Sequence, residues 1–117
     1  MKPYERLGAW ERSHQLVIGV YRLTDRWPPG ERFGLTAQLR RSAISIPTNI
    51  AEGSAKRGKA EYRRFLDIAI GSLAEVCYLL RLARDLELIT VEAWTDIEAT
   101  RDRAGRATYL LYRSLKT

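Results

Sequence analysis

The chain has 117 residues, with 20 Lys and Arg against 14 Asp and Glu and a formal net charge of +6. That length suits one domain with its own hydrophobic core. The single cysteine, Cys77, excludes an internal disulfide, and no run approaches the roughly 20 apolar residues of a membrane-spanning helix. The expectation is a cytoplasmic protein without a cleaved leader, whose basic balance permits contact with a polyanion but does not require it.

Four periodic segments follow one another, separated by short breaks. The first is predicted as a helix over residues 9–27, with Trp10, Val17, Val20, Tyr21 and Trp27 at helical spacing; Pro28-Pro29-Gly30 ends it. The second is predicted over 35–54, with Leu35, Leu39, Ala43, Ile46 and Ile50 on one face. Pro47 lies inside it, lacks an N–H and crowds the Ala43 carbonyl, so a kink is expected; the alternative is two shorter helices meeting there. Gly53 and the run Ser54-Ala55-Lys56-Arg57-Gly58 close it.

The third segment, 60–87, carries two adjacent seams. One is Tyr62, Leu66, Ala69, Leu73, Val76, Leu80 and Ala83; the other is Phe65, Ile68, Leu79, Leu82 and Leu86. Thr90 is placed to cap a fourth helix over 91–115, in which Trp94, Ile97, Ala104, Thr108, Leu111 and Leu115 face inward. No strand-and-turn alternation is present. Short connections between long helices imply antiparallel neighbours, hence an all-α, up-and-down four-helix bundle forming one domain over residues 1–117.

One bundle core needs only one apolar stripe per helix. The second seam of the third helix, with Tyr78, Tyr109, Tyr112 and Ile44 outside the main seams, therefore predicts self-association. A polar stripe runs beside the apolar face: Gln38, Ser42, Ser45, Asn49 and Glu52 on the second helix, Ser72 and Glu75 on the third. It reads equally as a solvated edge or as a hydrogen-bonding strip at a helix or subunit seam.

Catalytic chemistry finds little material. His14 is the only histidine, so Glu11-Arg12-Ser13-His14 supplies one Glu-x-x-His motif where a di-iron bundle needs two. No zinc spacing, no Ser/His/Asp or Cys/His set and no phosphate-binding glycine loop is present. Arg6 and Arg12 do not stand at the offset from His14 that helical-bundle ribonucleases use. The expectation is a protein that is not an enzyme, with no metal and no cofactor.

The one functional constellation is basic. Residues 56–64 hold Lys56, Arg57, Lys59, Arg63 and Arg64 against one acid, Glu61, and Arg40 and Arg41 are placed on the outer side of the second helix. Arg63 and Arg64 open a helix, where the backbone dipole disfavours cations, which hints at a use for them. Such a patch is either a solvated face or a phosphate-binding surface; Tyr62 and Phe65, at core spacing, read as packing.

The run from Phe33 through Gly53, containing Ser45-Ile46-Pro47-Thr48-Asn49-Ile50-Ala51-Glu52-Gly53, and the run Phe65-Leu66-Asp67-Ile68-Ala69-Ile70-Gly71-Ser72-Leu73-Ala74-Glu75 carry a resemblance. They resemble the bacterial four-helix bundle family that includes proteins encoded within 23S ribosomal RNA intervening sequences. The accessory protein of diversity-generating retroelements is similar. The resemblance implies homopentameric, barrel-like rings. It also implies nucleic-acid binding, since the retroelement relative binds a reverse transcriptase and nucleic acid through a basic surface. The expected function is an oligomeric scaffold holding RNA or DNA by phosphate contact; the alternative is an adaptor that docks a partner protein on a helical face of the ring.

Overall fold

Each periodic segment forms a helix. A computed structural model describes residues 1–116. It contains α1 (Gly8–Thr24), α2 (Leu35–Ser54), α3 (Lys59–Asp85) and α4 (Val91–Ser114), with short 3-10 turns at Pro3–Arg6 and Pro29–Glu31. α1 packs on α2 and α4, and α3 packs on α2 and α4, while the diagonal pairs do not meet. The chain therefore runs up and down round the corners of a square. The 27 residues of α3, at about 1.5 Å each, span most of the 44 Å long axis. Among the described residues no helix is long and apolar enough to cross a membrane.

Helices α2, α3 and α4 bury the stripes expected of them. Leu39, Ile46, Ile50, Leu66, Val76 and Leu80 are fully enclosed, and Ile97, Ala104 and Thr108 close the core from α4. α1 is phased differently from the expectation. Its buried line is Ala9, Ser13, Leu16, Val20 and Thr24, whereas Tyr21 is exposed. Two of those five positions are small hydroxyl residues, so a search for large apolar side chains misplaces the face. Tyr112, expected outside the core, packs against it.

The helix ends differ slightly from the predicted ones. α1 stops at Thr24, shortly before Pro28 and Pro29, so Trp27 is buried from the connecting turn rather than from the helix. α2 is one continuous helix through Pro47. In the turns around it, Thr48 and Asn49 side chains donate to the Ile44 and Ser45 carbonyls, both at 2.7 Å. α3 ends two residues early, at Asp85. There Glu87 takes a positive φ of 60°, and the Leu88 N–H reaches back to the Ala83 carbonyl (2.9 Å), a wrap that closes a helix end. The Thr90 hydroxyl accepts the Ala93 N–H (3.0 Å), the N-cap read from the sequence.

This topology collects at one end, called basal here, the start of α1, the α2–α3 loop and the finish of α4. The opposite, apical end holds the α1–α2 connection and the α3–α4 corner.

Candidate nucleic-acid interface

The basal loop owes its tightness to two glycines. Gly53 is buried, and a Cβ built there would lie 2.9 Å from Phe65 Cβ and 3.1 Å from Tyr62 Cδ1. Only a residue without a side chain lets the last turn of α2 touch the first turns of α3. α2 then ends one residue later, so Gly53 serves this close approach rather than stopping the helix. Gly58 turns the chain into α3 with φ +83°, a region open chiefly to glycine. Residues 55–59 are all exposed, and Lys56, Arg57 and Lys59 project from this turn.

The seven predicted basic residues separate into two groups. Among the described residues, Arg57 and Lys59 have no hydrogen-bond or ion-pair partner, and the Lys56 ammonium lies 5.2 Å from the centre of the Phe65 ring. The other four have local work. Arg63 is half-buried and donates to the Leu115 carbonyl, closing the C-terminal end of α4. Arg64 grips Glu61 with two hydrogen bonds (3.0 and 3.2 Å) and lies 4.7 Å from the Phe65 ring centre. That bond holds the Glu61 carboxyl below its usual range and raises the Arg64 guanidinium. α3 begins at Lys59, so Arg63 and Arg64 lie past its first turn rather than opening the helix, and both have a structural use.

Arg40 is not on the outer side of α2. Its Nε donates to Thr24 Oγ1 (2.8 Å) and its guanidinium covers the Tyr21 ring at 4.5 Å, so it ties α2 to α1. Arg41 is exposed, bonded to Gln38 Oε1 (3.0 Å), and belongs to the apical half of the bundle.

Most of the polar stripe lies along the α2–α3 seam. Gln38 donates to Glu75 across it, and Ser72 donates to Ser45 Oγ (2.8 Å). The Asn49 amide donates to the Ser45 carbonyl (2.7 Å) and hydroxyl (3.0 Å), and buried Ser42 donates to the Gln38 carbonyl (2.9 Å). Glu52 stands apart. It is exposed and borders a cleft of about 400 Å³ between α1 and α2, whose wall includes Tyr4, Trp10 and His14. The His14 ring is exposed and stacks on Trp10 at 4.9 Å. Among the described residues no group of three His, Cys, Asp or Glu could hold a metal ion.

Sorting charge by end shows what a linear reading misses. Residues 1–16, 45–72 and 103–116, the basal half, hold 12 Lys and Arg against 5 Asp and Glu; residues 17–44 and 73–102, the apical half, hold 8 against 9. The net positive charge is therefore all basal. Antiparallel helices make the polarity legible in the sequence, because it appears only when alternate halves are added together.

A sequence profile described as 23S rRNA-intervening sequence protein matches residues 5–109. Among solved structures, this chain is similar to a crystal structure from Bacteroides thetaiotaomicron described as a protein with unknown function from the S23 ribosomal protein family. The TM-score is 0.83 at 23% identity, covering 90% of this chain and 95% of that one. No curated protein matches.

Proposed function

We propose that this chain, which belongs to the 23S rRNA-intervening sequence protein family, is a non-catalytic oligomeric scaffold that binds nucleic acid with its basal end. The observation that carries the reading is the charge segregation, 12 bases against 5 acids in one half of the bundle. A closed ring of parallel copies puts every basal end on one face. A phosphate backbone laid over that face meets the Lys56, Arg57 and Lys59 cluster once per subunit, and repeated weak contacts multiply into useful affinity. Contact of this kind positions a strand and reads little sequence. Exposed Ile68, Tyr78 and Leu86 on α3 supply apolar surface for assembly, with five subunits as the family's implied number. One histidine and one cysteine leave little for catalysis.

The test is fluorescence anisotropy of nuclease-treated protein with structured RNA and duplex DNA across a salt series, beside light scattering for subunit number. Binding should weaken steeply with salt, and the triple variant Lys56→Glu, Arg57→Glu, Lys59→Glu should abolish it without changing the assembly. Unchanged affinity in that variant refutes the reading.

A second reading, a protein adaptor, is favoured by one observation. Phe33 is 91% exposed beside Tyr21, Ala37 and Ile44, in a cleft edged by Arg32, Arg40 and Arg41. A partner captured through this surface in high salt and after nuclease treatment, and lost on Phe33→Ser, would put the adaptor first.

A further inference from the structure

We propose that the outer face of the last three turns of α4, together with Arg12 of α1, is a binding track for single-stranded nucleic acid, with Tyr109 as the stacking platform for an unpaired base. This rests on the nucleic-acid reading above and names the form of nucleic acid. Arg12, Arg103 and Arg106 surround an open cleft of about 560 Å³ between α1 and α4, floored by Ala107 and Leu110. Arg12 comes from a position about 90 residues away in sequence, so no linear charge run reveals the cluster.

The same face continues downward as Arg106, Tyr109 and Arg113, at steps of three and four that keep them adjacent on a helix. Tyr109 is 52% exposed and Leu110 63%, large apolar groups displayed among cations. Arg113 holds its guanidinium 6.0 Å from the Tyr109 ring centre. From residue 103 to 116 the chain has four bases and no acid. A phosphodiester chain is attracted to such a face.

Alternation of guanidinium and exposed ring suits a strand whose phosphates and bases are both accessible. A duplex hides its base faces, so it could use the arginines but not Tyr109. Asp102 borders the track. Asp102 accepts from Arg106 Nε (2.9 Å), and Arg106 holds its carboxyl below the usual range. A phosphate at Arg106 must compete with it, which makes Asp102 an internal check on the assignment.

The test compares a labelled, unstructured oligouridine with a blunt RNA duplex of equal length, by anisotropy across a salt series. Tyr109→Ala should weaken oligouridine binding about tenfold and leave duplex binding unchanged, while Tyr109→Phe, which keeps the ring, should bind as wild type. Arg103→Gln with Arg113→Gln should lower the single-strand salt slope by about 0.7 for each phosphate that the variant no longer neutralises. Asp102→Asn should tighten binding. All these positions but Asp102 are exposed, and light scattering and circular dichroism check that each variant keeps its assembly and helix content. Single-strand binding that ignores the α4 variants but fails in the Lys56/Arg57/Lys59 reversal overturns the track alone. Absence of binding by the wild-type protein overturns the track and the function together.

Discussion

Replacing Gly53 by alanine tests how the basal end is built. In a free helix the change is favourable, by about 1 kcal/mol of propensity. Here the new methyl would sit 2.9 Å from Phe65 Cβ and 3.3 Å from the Tyr62 carbonyl oxygen, atoms fixed to the α3 backbone that cannot rotate away. The helices must separate locally, and overpacking of this kind costs about 1–3 kcal/mol. The balance for Gly53→Ala is a loss of up to about 2 kcal/mol, read as a melting temperature lower by as much as roughly 10 °C. Gly71→Ala supplies the contrast. Gly71 is also inside a helix, but nothing lies within 4 Å of its ideal Cβ. That variant should gain about 0.5–1 kcal/mol. Urea titrations of both at one fixed protein concentration keep any assembly equilibrium constant. Shifts of equal size in the same direction would refute the Phe65 contact as the reason for glycine at position 53.

Other substitutions probe the groups that the structure assigns to local work. Arg63→Ala should cost about 1–2 kcal/mol by freeing the Leu115 carbonyl, and hydrogen exchange should speed up around residues 112–115 first. The same variant should keep most of its nucleic-acid affinity, unlike the Lys56/Arg57/Lys59 reversal. Ser45→Ala and Ser72→Ala should each cost about 1 kcal/mol, and the double variant distinctly less than the sum, because both changes remove the same hydrogen bond; strict additivity in denaturant would contradict a direct bond. Burial raises the Cys77 thiol, which lies beside the Glu98–Arg101 ion pair. Alkylation by iodoacetamide at mildly alkaline pH should therefore run slower than on a small free thiol, rise with pH to a higher midpoint, and reach the ordinary rate in urea.

The sequence alone determined the four helices and the inward faces of three of them. Apolar residues at steps of three and four persist through α2, α3 and α4, and prolines, glycines and Thr90 mark the breaks. α1 resisted the same reading because Ser13 and Thr24 lie on its buried line while Ile18 and Tyr21 lie outside it. Its phase is set by how closely α2 and α4 approach, and the side chains' own polarity does not report that distance.

Charge follows the same division. The excess of arginine and the dense run at 56–64 are properties of the chain, but which cations are engaged and which are free is decided across the bundle. Arg40 meets Thr24 from 16 residues away, and Arg63 meets the Leu115 carbonyl from 52. The basal concentration of charge, and the meeting of Arg12 with Arg103 and Arg106, exist only because antiparallel packing lays the start of α1 beside the finish of α4. Periodicity within a helix is a local property that a sequence carries openly. Proximity between helices is set by packing, and only the folded chain brings such distant charges within reach of one ligand.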